Sequence, residues 1–450
     1  MSKHSLLAVL APLLLSACYD DNNYGGNGYS GPTANFQFLH ASPDSPSLSL
    51  LIDGQVWIDS LHYGDGTGEI QIPSGSHTVS VQASTPGGPV TVIAPATFDF
   101  QQNNDYVMAA EGPYASISAA VFPHMLSTVD SASTRIQFLH AAPSAPAIAV
   151  YLTAPGAPLA SSTPLGSGSI AFKGATDPSD VPAGTYEIRI TPAGATTPVL
   201  FDSGSFSLFG GTDVVIAALQ NVGPGTSSIV LSLVDSFDNE LTLFDVSTPS
   251  NVRVVNASPD APPLDVISNG NTASPLVSSL AFESFTPYLS LTPGSYTFTV
   301  TPASNTSQVL STQALTLNAG SEQTIYALGM YASLGTEVTS DNRRRVATAA
   351  KLRIIQGSPG ASFVDVYLTA PGSGIASMVP TFVGIPFAGD TGFEQFAAGS
   401  YDLTVTTSGT QTILIGPTTV TITNTGLYTA VARDAPGGGA PYGLILMDDL

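Results

Sequence analysis

The chain has 450 residues, 11 Lys+Arg against 33 Asp+Glu and a net charge of −22, one more negative once Lys3 leaves with the amino-terminal segment. Nucleic acid and anionic lipid surfaces are excluded as partners, because both require a basic face. With 43% hydrophobic residues, only 10% charged ones, 43 Gly and 35 Pro, the composition suits short strands joined by tight turns and sizeable buried cores.

Residues 1–17 read as a signal peptide: Lys3 and His4 form a short basic start, and Leu6–Leu15 is an apolar stretch interrupted by Pro12. That stretch is too short to cross a bilayer as a helix, and nothing later approaches the ~20 apolar residues required. Leu15-Ser16-Ala17-Cys18 ends it, and Cys18 is the only cysteine, so no disulfide forms within the chain. These four residues resemble the bacterial lipobox, which implies a lipid on Cys18 and membrane attachment through it. Tyr19 rather than aspartate after the cysteine points to the outer membrane of the cell envelope. Residues 18–34 are rich in Asn, Gly, Tyr and Ser and are expected to be a flexible tether.

Beyond the tether the chain repeats itself. Phe36-Gln-Phe-Leu-His40-Ala-Ser-Pro43 returns at Ile136–Pro143, Val252–Pro259 and Leu352–Pro359, each time a strand stopped by proline. A glycine elbow follows: Gly75-Ser-His77, Gly184-Thr-Tyr186, Gly294-Ser-Tyr296 and Gly399-Ser-Tyr401. The strands starting there alternate, as in Tyr186-Glu-Ile188-Arg-Ile190, which predicts one buried and one wet face. Each unit closes near an acid, at Asp130, Asp235, Asp341 and Asp448.

Four β modules follow, over residues 35–130, 135–238, 250–341 and 350–450. His40 and Asn256 stand 216 positions apart, as do His140 and Gln356, so the order is a duplicated pair, A-B-A-B. Modules two and four share Val150-Tyr-Leu-Thr-Ala-Pro-Gly156 and its copy at Val366–Gly372. Modules one and three instead carry the hairpin signals Asp53-Gly54 and Asn269-Gly270. The longest link, residues 235–251, separates the pairs. The expected fold class is all-β: four tandem antiparallel β-sandwiches, immunoglobulin-like or transthyretin-like, arranged as two A-B pairs. Stacked end to end they would make a rod of about 150 Å; paired packing would be shorter.

The opening Asn256-Ala-Ser-Pro-Asp-Ala-Pro262 run followed by Leu264-Asp265-Val266, the Gly-Ser-Tyr elbow and the acidic close resemble the bacterial domain-of-unknown-function family 4397. Departures are Ser49 and His77 in module one, Ala142 and Ser144 in module two, and Gly357 and Gly360 in module four. The resemblance implies tandem modules on exported proteins and carries no activity.

Candidate sites are sparse. His40 and Ser42 lie two apart, but the matching pairs are His140 with Ala142, Asn256 with Ser258 and Gln356 with Ser358, so a turn-bonding side chain explains all four positions and catalysis does not. His40, His62 and His77 share module one without zinc spacing. Asp65-Gly-Thr67-Gly-Glu69 and Asp235, Asp238 and Glu240 offer oxygen ligands for calcium, without the alternating loop pattern. Arg343-Arg344-Arg345 is the one basic cluster, a candidate interaction site for an anionic glycan or an acidic module and otherwise a solvated linker. No catalytic residue, metal site or required cofactor is expected. The sequence reading is a non-enzymatic envelope lipoprotein whose modules act as spacer and interaction surface. A glycan- or calcium-dependent adhesin is the alternative, and an enzyme with a site between modules the remote one.

Overall fold

The computed structural model describes residues 31–124 and 128–449, so Cys18 and most of the tether lie outside the described residues. Module one sets the pattern. It comprises β1 (Thr33–Ala41), β2 (Leu48–Ile52), β3 (Gln55–Leu61), β4 (Ile70–Pro73), β5 (Gly75–Thr85), β6 (Gly88–Phe100), β7 (Asp105–Glu111) and β8 (Ser118–His124). Two four-stranded sheets, ordered β4-β1-β7-β8 and β3-β2-β5-β6, face each other as a sandwich. All pairings are antiparallel except β1 with β7, which run parallel in register from Asn35↔Asp105 to Ala41↔Glu111. Modules three and four repeat this scheme, including the parallel pairs Ser250–Asn256 with Glu322–Leu328 and Ala350–Gln356 with Leu427–Arg433. Module two extends the sheet that faces module one with Glu240–Leu243, which pairs with Ile229–Asp235. The segment read as a link between the pairs therefore starts inside module two's sheet.

The local chemistry accounts for the turns. Asp53-Gly54 and Asn269-Gly270 all take positive φ, between 48° and 78°, as a two-residue hairpin of the mirror-image type requires. The elbow glycines do not share one conformation. Gly75 and Gly294 have positive φ, but Gly184 and Gly399 do not. In modules two, three and four the tyrosine two residues on folds back over the glycine, and Tyr186, Tyr296 and Tyr401 donate their hydroxyls to the carbonyls of Pro182, Thr292 and Ala397. His77 cannot make this bond, and it pairs with Asp53 instead.

Each sandwich has its own core; that of module one includes Phe36, Phe38, Leu48, Leu50, Val81 and Met108. The opening strands, however, are buried on both faces. In β1, Phe36 and Phe38 point into the sandwich, whereas Leu39 and Ala41 pack with Val107 and Ala109 against Leu139, Ala141, Val215, Ala217 and Leu219 of module two. Val255, Ala257, Tyr326 and Leu328 of module three meet Ile355, Val431, Ile445 and Met447 of module four in the same way. The modules are thus joined side by side, sheet against sheet, within each A-B pair. An end-to-end arrangement would leave these rows in water, at a cost of roughly 25 cal/mol per Å² of apolar surface.

The expected wet face of the elbow strands is also covered in module four, where Asp402, Leu403, Thr404 and Val405 are all buried. Tyr151 and Tyr367, from the heptapeptide shared by modules two and four, are 5% and 4% exposed on that side. Tyr151 packs with Leu159 from the loop that follows its strand.

Candidate functional site

The polar residue that ends each opening strand is spent on the turn behind it. His40 is fully buried; its Nδ1 accepts the Ser42 backbone N–H at 3.2 Å and its Nε2 contacts the Pro46 carbonyl at 3.0 Å. That pattern requires a neutral ring, and burial pushes its pKa down to about 3. His140 repeats both contacts. Asn256 accepts from Ser258 N–H and donates to Leu280, and Gln356 accepts from Ser358 N–H and donates to Ala361. Histidine, asparagine and glutamine do one job here, and the Ser42 hydroxyl does not bond His40, so the pair is no nucleophile with its base.

The A-B junction holds a second polar layer. Arg253 and Arg353, one residue after the strand openings of modules three and four, are buried between the sheets. Arg353 Nη1 donates to Asp341 Oδ1 at 2.6 Å, across the interface; Arg253 Nη1 reaches Asp449 reciprocally. Thr324 and Thr429 each accept from one arginine and donate to one of these aspartates, and Tyr288 completes the set with a 2.7 Å bond to Asp341. The residue performing the acidic close of module four is therefore Asp449, one beyond Asp448, because the strand Gly443–Asp448 aims its neighbour inward. In the first pair, Gln37 and Gln137 occupy the arginine positions. Gln37 donates to the Thr67 and Asp235 carbonyls, while Gln137 bonds His124, whose other nitrogen meets Asp213 at 2.8 Å. Burial disfavours charge on His124, but the Asp213 hydrogen bond and charge outweigh it and its pKa rises.

The two segments weighed as calcium loops are brought against each other at this same junction. Gly66 N–H donates to Glu240, Gly68 N–H to Asp238 and Glu69 N–H to the Ser236 carbonyl. A Cβ on Gly66 or Gly68 would come within 2.8 Å of Val234 or of the Asp238 nitrogen, so both glycines serve close approach of the two chains. His62 and His77 bond Ser47 and Asp53 separately, and neither shares a bonding partner with His40. Among the described residues, no group of three or more His, Cys, Asp or Glu is placed to hold a metal.

The basic cluster joins the pairs. Arg344 Nη1 donates to the Ser45 and Pro43 carbonyls of module one, at 2.7 and 3.3 Å, with its guanidinium 5.4 Å from the Tyr63 ring centre. Arg343 pairs with Glu322 at 3.0 Å and lies over Tyr288, 4.4 Å from the ring centre. Arg345 is exposed. Beside them Lys351 is buried, donates to Asn342, and has its pKa lowered to about 7 by burial and by the Arg344 charge. Two of the three arginines are thus engaged within the chain, one of them with the acidic first module. A cavity of about 300 Å³ opens at this junction, lined from modules one, two and three and by the Arg343-Arg344 segment.

Comparison with known proteins bears on the repeat. A family model described as domain of unknown function DUF4397 matches residues 34–151 and 250–367, which together exceed half of the chain. The chain belongs to the DUF4397 family. Its two matches start 216 residues apart, the same offset as the A-B-A-B duplication, and each takes in an A module and the first two strands of the B module packed against it. No curated protein matches the chain. Among solved structures, the Bacillus anthracis TIE protein aligns at 11% identity over 90% of this chain and 69% of its own, with a TM-score of 0.17. A leucine-rich repeat protein from Bacteroides thetaiotaomicron aligns at 10% identity over 41% of this chain and 25% of its own, with a TM-score of 0.11.

Proposed function

We propose that this DUF4397 chain is a lipid-anchored protein of the bacterial envelope, non-enzymatic, in which two A-B pairs present an acidic surface away from the membrane for contact with envelope glycan or protein. One observation carries the non-catalytic part: the polar residues that recur in every module bond a turn or the partner module. His40, His140, Asn256 and Gln356 hold turns, and Arg253, Arg353, Gln37 and Gln137 hold the junctions. The anchor rests on Leu15-Ser16-Ala17-Cys18 and the apolar stretch before it; a multiply acylated terminus gains about 0.8 kcal/mol per buried methylene and stays attached. Outer-membrane placement rests on Tyr19 alone.

The test is incorporation of labelled fatty acid by the wild type and by Cys18→Ala, with fractionation of the envelope. Label in the wild type and none in the variant supports the anchor; an unlabelled wild type refutes it. A pull-down of envelope fractions with the mature protein tests the interaction role.

A further inference from the structure

The cavity between the pairs combines features that the fold does not require. Tyr63, Phe244, Leu219 and Val230 give it apolar and aromatic walls, and Arg343 and Arg344 stand at its edge. Arg343 is neutralised by Glu322, but Arg344 has no carboxylate within ion-pair distance among the described residues, although Asp44 and Asp65 lie near enough to be felt. Among the described residues the side chain's only hydrogen bonds run from Nη1 to two backbone carbonyls, and its Nε and Nη2 are not sealed from solvent. Glu322 and Asp341 also line the cavity, but their carboxylates are engaged by Arg343 and Arg353, which leaves Arg344 a cation without a direct ion-pair partner beside an aromatic ring in a concave site. About 300 Å³ is at the lower end of the range for small-molecule sites and suits one or two sugar rings.

We propose that this cavity binds a carboxylate-bearing saccharide, a uronate residue of an acidic glycan. The guanidinium fork of Arg344 matches a carboxylate in bidentate geometry, which a neutral sugar cannot exploit. The C–H face of the ring packs on Phe244, and sugar hydroxyls donate to the Glu322 carboxylate. This deepens the glycan arm of the proposed function, and it is independent of the lipid anchor, which fatty-acid labelling reads separately.

The experiment is calorimetric titration of the purified mature protein with trigalacturonate, and with maltotriose as the neutral trimer, at low and physiological salt. Saturable binding of trigalacturonate alone, weakened by salt and at least tenfold by Arg344→Gln and by Val222→Trp, supports the site. Val222 lines the cavity and is 36% exposed, so tryptophan there fills the mouth without touching the charge. An unchanged melting temperature shows that each variant is folded; should Arg344→Gln unfold, Val222→Trp decides. Absence of binding at millimolar trigalacturonate, equal affinity for maltotriose, or wild-type affinity in folded Val222→Trp overturns the proposal.

Discussion

Replacing Asp341 by alanine removes an acceptor on which four donors converge. Arg353 Nη1 and Thr324 Oγ1 each lie 2.6 Å from it, Tyr288 donates at 2.7 Å and Thr339 at 3.3 Å, and the side chain is wholly buried. What remains is the Arg353 guanidinium, fully buried between two sheets with no counter-charge from its partner module. Breaking a buried pair from one side costs about 3–5 kcal/mol, whereas replacing both partners by apolar groups is often close to neutral. For a unit of ~200 residues, each kcal/mol lowers the midpoint by roughly 2–4 °C, so Asp341→Ala is expected to lower the melting of the second pair by about 6–20 °C. Urea unfolding followed by calorimetry resolves this, and the first pair serves as the internal reference. Asp341→Leu combined with Arg353→Met is expected to recover more than half of the loss. A loss below about 1 kcal/mol for Asp341→Ala, or a double variant no better than the single one, refutes the reasoning.

Other predictions follow from the buried groups. Burial lifts the Glu111 pKa to about 7, so the folded state holds a proton that the unfolded state has lost. Stability therefore falls as pH rises from about 4.5 to 7, by at most roughly 3 kcal/mol, and Glu111→Gln should flatten that limb in urea melts at pH 5 and 8. His40 has the opposite sign: its depressed pKa makes stability fall as pH drops from 6.5 toward 3, and His40→Asn, the residue module three uses, should relieve part of module one's acid sensitivity. Limited trypsin digestion should cut after the exposed Arg345 but poorly after Arg343 and Arg344; prompt cleavage at those two bonds would show the cluster unengaged. Millimolar calcium and chelator should leave melting unmoved, since the Asp238 and Glu240 carboxylates already accept backbone N–H groups; a stabilising shift with calcium would contradict that.

Repeats, turns and the structural part of the His40 position were legible because they depend on neighbours in sequence. Asp53-Gly54 needs positive φ wherever it occurs, and the module-by-module swap of His, Asn and Gln three residues before the proline argued against catalysis. Side-by-side pairing was not legible. Leu39 and Ala41 face another module and Phe36 and Phe38 face their own, yet all four are apolar, so a doubly buried strand reads like any core strand. The signal that was missed is the polar residue three before the turn-bonding one, Gln37, Gln137, Arg253 or Arg353, which in a doubly buried strand must find a partner across an interface. The engagement of Arg344 with Ser45 spans 299 positions, and local pattern carries no trace of it.

The central claim is that the A-B pair, not the single module, is the folding unit. Residues 250–345 and 250–450, produced separately, test it most directly. Module three alone exposes Val255, Ala257, Tyr326 and Leu328, and with the Arg253 guanidinium deprived of Asp449 it should melt far lower than the pair and self-associate, while the pair melts in one cooperative transition. A monomeric module three that melts at the temperature of the pair would contradict the account.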